Sequence, residues 1–309
     1  MRAGNAVLVR PMTRLPAFRQ NNNDKIANDI VLKTRIITAL ILAPIAIGGI
    51  FFLPPLGFAL FTGGIITIGA WEWANMSGLA APAARVVYAL VVAVVLYGLL
   101  NVPAVAVLWL ALFWWVLSFL LVRNYPSGSE RWGGVPARAL MGLLVLVPAW
   151  VGLNHLRTGG FQFGDSANNL LLILYVFCVV WVADIGAYFA GRAFGKAKLA
   201  PRVSPGKSWA GVWGGLVAVA IFAIIISALA SASTMQLLLL VVASLITGAV
   251  SVLGDLLESM LKRFRGIKDS SQLLPGHGGI MDRIDSLTAA IPVFALIITL
   301  MGWLTTGQW

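Results

Sequence analysis

Long apolar runs separated by short polar breaks repeat along the chain from Ile36 to Leu304. They are continuously apolar rather than alternating, and many approach the roughly 20 residues a helix needs to cross a hydrocarbon core about 30 Å thick. Lipid satisfies no backbone group, so only helices or closed barrels span it, and unalternating runs select helices. The pattern predicts nine spans, near residues 36–53, 56–74, 86–101, 103–122, 139–154, 169–190, 211–230, 235–258 and 286–304. Pro54 and Pro55 turn the first hairpin, while Pro44, Pro148 and Pro292 fall inside runs and are expected to bend them. Residues 1–31 stand apart: basic, without acid before Asp24, and lacking an apolar secretory core. They faintly resemble a targeting peptide but read better as a disordered polar tail. Three regions follow: this tail, N-terminal transmembrane helices over 32–168, and a C-terminal transmembrane region over 169–309 that carries the chemistry.

Composition agrees with this pattern. The 309 residues are 60% hydrophobic and 11% charged, which no soluble domain of this length would be. The net charge of +11 would suit nucleic acid if it lay on one soluble face. Instead, alternate polar segments hold twenty-one of the twenty-two Lys and Arg, and the other side holds only Arg157. By the positive-inside rule the N-terminus and the loops 191–210 and 259–285 are cytoplasmic and the C-terminus is outside. No nucleic-acid partner is expected. The single Cys178 lies within a run, cannot form an intrachain disulfide and is expected only to pack.

Six of the eleven acids, Asp184, Asp255, Glu258, Asp269, Asp282 and Asp285, lie in the last 130 residues. Asp184 is about fifteen residues into its span, which at 1.5 Å per residue is about 22 Å from the outer end. Asp255 lies near the inner end of the next-to-last span, and Asp282 and Asp285 open the last. Three helices therefore carry carboxylates to one depth near the inner surface. One reading makes each of them structural glue for a nearby Arg or Lys; the other follows from ionisable groups at membrane depth being costly and usually functional. In "GDLLESMLKR", Asp255, Ser259, Lys262 and Arg263 share one helical stripe, with Glu258 beside it. Two readings remain open: an interfacial Glu258–Lys262 pair, or a metal-holding carboxylate beside phosphate-holding cations. The absence of a Cys/His cluster argues against zinc. The loop "GRAFGKAKLAPRVSPGKSWAG" brings Ser204, Lys207 and Ser208 to a helix start suited to phosphate. It lacks the upstream glycine of a P-loop, and no strand is expected before it; plain positive-inside charge would also explain it. Gly278-Gly279 permits close approach to a ligand, and His277, otherwise an ordinary solvated or core histidine, stands beside them.

The stretch "SMLKRFRGIKDSSQLLPGHGGIMDRID", Ser259 to Asp285, resembles position by position the signature of phosphatidate cytidylyltransferases, the CDP-diacylglycerol synthases. The matching positions are Ser259, Lys262, Arg263, Lys268, Asp269, Pro275, His277, Gly278, Gly279, Asp282, Arg283 and Asp285. "KTRIITALILAPIAI", "WEWANMSG", "DIGAYFAGRAFGKAKLAPRVSPGKSWAG" and "SVLGDLLES" are also similar to bacterial members, so the resemblance runs from Leu32 to the end. Ala210 departs from it, since relatives often carry a polar or acidic residue there. The resemblance implies an all-α polytopic integral membrane enzyme with a polar cytoplasmic-side active-site cavity. It would join CTP to phosphatidic acid, releasing pyrophosphate, in the bacterial cytoplasmic (inner) membrane, as a homodimer using Mg²⁺, in one or two ions.

On that footing Asp255 and Asp282 are the expected metal ligands, with Asp184 and Asp285 as further candidates. Lys262 and Arg283 join those two as catalytic residues. Ser204, Lys207, Ser259, Arg263, Lys268, Asp269, His277, Gly278 and Gly279 are expected at the substrates. Charge confined to one half and one face argues against a transporter with repeated halves. The D-G-x-x-A-R motif of CDP-alcohol phosphatidyltransferases is absent.

Overall fold

A computed structural model describes residues 38, 40, 44–45, 47–100 and 102–305. It contains α1 (Pro55–Ser77), α2 (Pro82–Gly98), α3 (Ala104–Asn124), the short α4 (Ser129–Trp132) and α5 (Val135–Thr158). After the two-residue β1 (Gly160–Phe161) come α6 (Asn169–Phe194), β2 (Lys198–Ala200), β3 (Ser204–Ser208), α7 (Trp209–Leu229), α8 (Thr234–Phe264), α9 (Met281–Leu300) and β4 (Leu304–Thr305). Among the described residues seven helices, rather than the nine expected, are long and apolar enough to cross a bilayer. The eighth, α2, has 17 residues and falls short on length. Of the first expected span, residues 47–52 are helical and most of the rest lies outside the described residues, as does the tail. The protein is a polytopic all-α membrane protein. Large apolar side chains such as Val94, Phe113 and Trp213 face outward, as a lipid solvent requires.

Local sequence sets the helix ends. Proline opens α1 and α2 in the first turn, where its missing N–H costs nothing. Asn168 caps α6, Ser208 caps α7, and Ser233 with Gln236 closes a capping box on α8. At 31 residues α8 is about 46 Å long, well beyond the 30 Å core, so its polar C-terminal turns reach past the apolar layer. Asp282 and Asp285 lie inside the opening turns of α9.

Helix pairs close through small residues, the packing that lipid favours when no hydrophobic force acts between helices. On the facing side of α6 and α7, a Cβ added to Gly186 would stand 2.9 Å from the Gly214 carbonyl oxygen. One on Gly215 would stand 2.7 Å from that of Ala183. Gly254 of α8 lies against the Asp285 carbonyl and Ala289 of α9. These approaches draw the charged ends of α6, α7, α8 and α9 into one bundle. At the opposite end β1 pairs antiparallel with β4, tying the exit of α5 to that of α9.

Candidate active site

The loop between α6 and α7 is an antiparallel hairpin in which Lys198 pairs with Ser208 and Ala200 with Ser204. A short strand therefore does precede α7, contrary to the sequence expectation, because pairing with Lys198–Ala200 extends it; at its end the Ser208 hydroxyl caps the helix by accepting from the Gly211 amide at 3.2 Å. Lys207, one residue earlier, reaches across to α8, where its Nζ meets Asp255 Oδ2 at 2.7 Å. The two side chains are 26% and 33% exposed, so the pair is accessible from solution. Ser259, one turn further along α8, donates to Asp255 Oδ1 at 3.1 Å. Asp184, Tyr188, Arg192, Lys207 and Ser208 bring their polar groups to a cavity of about 390 Å³ between hairpin and helices. Ser204 lies in β3.

A second knot lies one to two turns along the same stripe. Lys262 Nζ meets Asp282 Oδ1 at 2.6 Å and Glu258 Oε1 at 3.3 Å. The other Asp282 oxygen accepts from the Ser270 amide at 2.9 Å, the Ser270 hydroxyl at 2.9 Å and the Gly279 amide at 2.8 Å. Asp282 thus clasps both ends of the 265–280 loop to Lys262. Gly278 supports the tight turn with φ +82°, and Gly279 leaves room that a methyl would contest with the Ser270 hydroxyl and the Glu72 carboxylate.

Glu72, absent from the sequence-stated site, holds this arrangement from α1. It is fully buried, accepts from the Ser271 hydroxyl at 2.6 Å and from the Ile280 and Met281 amides at 3.0 and 2.7 Å, and shares with Asp282 the single hydrogen of the Ser270 hydroxyl, 3.1 Å away. An anion on the first amides of α9 is what a helix N-terminus favours. Asn75, a turn later, donates to the Ser270 carbonyl at 3.1 Å. The signal was present: Glu72 is an acid in an otherwise apolar span.

The remaining candidates are spread around these two knots. Arg263 donates from Nε to the Val203 carbonyl at 3.3 Å, joining α8 to the hairpin. Lys268 and Asp269 are exposed in the loop. His277 is half-buried, with Nδ1 buried and without a hydrogen bond. Arg283 is exposed at the start of α9 and lines a separate apolar cleft. Asp285 adjoins Glu258. Asp255 lies close enough to both Asp184 and Asp285 for their charges to interact.

Oxygen donors suited to a hard divalent cation are therefore at hand. Asp184, Asp255, Glu258, Asp282 and Asp285 set five carboxylates around two ammonium groups, Lys207 and Lys262. The 1%-exposed Glu258 lies between Lys262, 3.3 Å from its Oε1, and the Asp285 carboxyl. The described residues contain no preformed cluster of three His, Cys, Asp or Glu ligands. Both oxygens of each expected ligand are engaged, those of Asp255 by Ser259 and Lys207 and those of Asp282 by Lys262, Ser270 and Gly279, but the Asp255 side chain is 33% exposed against 7% for Asp282 and is the more accessible of the two.

Comparison with known proteins places these residues in context. Residues 33–301 match the model of the Cytidylyltransferase family. A phosphatidate cytidylyltransferase of Pseudomonas aeruginosa is 53% identical over 275 residues, covering 88% of this chain and 99% of that protein. One of Haemophilus influenzae is 41% identical over 282 residues, covering 86% and 98%. One of Brucella suis is 36% identical over 265 residues, covering 86% and 92%.

Proposed function

The chain belongs to the cytidylyltransferase family, and from that premise we propose that it is a phosphatidate cytidylyltransferase whose active site is the charged seam at the inner ends of α6 to α9. A phosphate oxygen of phosphatidate bonds to the α-phosphorus of CTP. The bond from that phosphorus to the bridging oxygen of the β-phosphate breaks, and pyrophosphate leaves with the electron pair. The products are CDP-diacylglycerol and pyrophosphate.

Both substrates are anions, so positioning and charge neutralisation dominate over proton transfer. Phosphatidate arrives ionised, and no residue is assigned as general base. Lys207 and Arg192 border the cavity beside the hairpin and suit the triphosphate. Lys262, Arg263, Lys268 and Arg283 surround the loop and suit phosphate oxygens of either substrate. Lys207 and Lys262 each sit on a carboxylate, which holds a flexible ammonium in place before substrate comes. Mg²⁺, when bound, supplies further neutralisation of phosphate oxygens, and Asp255 with Asp184 and Asp285 around it is the set that would hold it. Asp282 keeps Lys262 and the Gly278-Gly279 turn in register with that set. Ser259 orients Asp255, and His277 with the adjoining glycines is assigned to the nucleotide on the family resemblance.

The observation that carries this reading is the paired placement of Lys207 on Asp255 and Lys262 on Asp282, which joins the hairpin, α8 and α9 into one seam. The charge asymmetry supports a cytoplasmic seam and N-terminus in the bacterial inner membrane, where cytosolic CTP meets bilayer phosphatidate. A homodimer rests on the family resemblance and is checked by native mass in detergent. The activity is tested with purified protein, labelled CTP and phosphatidate, with and without Mg²⁺. Label extracted with lipid supports the reading; label remaining wholly aqueous overturns it.

A further inference from the structure

Beside the charged seam, an apolar cleft of about 290 Å³ opens between helical residues 47–51, α1, α5, α6 and α9. Its walls are carbon: Phe58, Ile65, Leu153, Phe177 and Leu287 are typical, and Arg283 is the one charged residue that lines it. Arg283 follows Asp282 directly, and among the described residues it makes no ion pair, unlike Lys207 and Lys262. From Arg283 the cleft follows α9 as far as Ile291, which is about 12 Å along the helix axis, from the inner interface towards mid-membrane. An apolar slot with a lone cation at its interfacial mouth matches a lipid that carries phosphate at one end and hydrocarbon at the other. Its volume lies at the lower edge of ligand pockets, roughly 300–1,000 Å³, and suits one chain rather than a whole diacyl body.

We propose that this cleft is the acyl-chain site for phosphatidate: one fatty-acyl chain lies along Phe58, Ile65, Phe177 and Leu287 while Arg283 holds the phosphate toward the seam. The inference rests on the cytidylyltransferase reading and adds to it a residue set that measures chain length. The second acyl chain stays in the bilayer. Each methylene gained or lost in an apolar pocket changes discrimination by about tenfold or more, so the cleft sets chain preference directly.

The test compares dioctanoyl and dioleoyl phosphatidate in mixed micelles. Ile65→Trp, a partly buried wall position, is expected to raise KM for the dioleoyl lipid about tenfold while leaving KM for CTP and for the dioctanoyl lipid within about twofold. Phe177→Ala is expected to shift the ratio the other way. A photoreactive phosphatidate carrying its diazirine on the acyl chain is expected to label wild-type peptides containing Phe177 or Leu287, and Arg283→Gln to reduce that labelling. Equal labelling by a photoreactive phosphatidylcholine would show a slot filled by any bilayer lipid and overturn the proposal. So would chain-length ratios unchanged in both variants of an active enzyme. If wild-type protein makes no CDP-lipid at all, the catalytic reading fails instead, and the photolabelling still decides whether the cleft binds phosphatidate.

Discussion

Replacing Glu72 by alanine isolates the contribution of a carboxylate that touches no proposed substrate group. Its four donors are two seryl hydroxyls and the backbone amides of Ile280 and Met281. Ser270 keeps a second acceptor in Asp282, and Ser271 is only half-buried and can turn to water. The amides have no such escape, since no side-chain change removes a backbone donor. Stranding two of them costs about 1–3 kcal/mol each, or about 2–6 kcal/mol together. That is a large share of a total stability of about 5–15 kcal/mol. Glu72→Ala is therefore expected to lower the unfolding temperature in detergent by on the order of 10 °C. Because Ser270 and Gly279 also hold Asp282, kcat measured well below the transition is expected to fall at least about tenfold per folded molecule. Glu72→Gln, which keeps one acceptor oxygen but turns an NH₂ group towards donors, should fall between. A Glu72→Ala protein that melts and turns over like wild type would refute the reasoning. A lowered melting point with unchanged kcat would confine Glu72 to stability.

Asp282→Asn leaves Lys262 facing an amide and turns one acceptor into a donor, so CDP-lipid formation should be lost while circular dichroism keeps the helical signal. Lys262→Met should lower the unfolding temperature as well as activity, because breaking a buried charge network costs about 3–5 kcal/mol; a rise in KM without loss of stability would contradict this. Gly279→Ala places a methyl against the Ser270 hydroxyl and the Glu72 carboxylate and should cost activity even though alanine is otherwise a mild change; wild-type turnover would count against the tight loop. Gly215→Leu, facing the Ala183 carbonyl, should separate α6 from α7 and abolish folded yield by size exclusion, whereas Gly206→Leu, with open space around it, should not.

The helical membrane fold was legible because continuous apolar runs admit few alternatives, and most helix positions follow the runs to within a few residues. The count was less legible. Hydropathy does not separate a helix of full crossing length from one such as α2, which stops at 17 residues. The C-terminal end of α8 and the start of α9 reach beyond the expected spans, since Lys262 and Asp282 lie outside the apolar runs yet continue the helices. The hairpin was invisible because "SPGKS" has no strand pattern, and only pairing with Lys198–Ala200 makes it extended. The site residues were visible as charges in apolar surroundings and as a family signature. Their partners were not, because the bonds from Lys207 to Asp255 and from Glu72 to Ser270 span residues far apart in sequence.

The central claim is that the seam, with Asp255 at its accessible end, carries CMP transfer from CTP to phosphatidate. It is tested most directly by following labelled CTP into lipid with purified wild-type and Asp255→Asn proteins across a Mg²⁺ titration. Mg²⁺-dependent labelling by wild type and a loss of about a hundredfold or more in the variant is the expected result. An Asp255→Asn protein that labels phosphatidate at the wild-type rate and the same Mg²⁺ midpoint would contradict it.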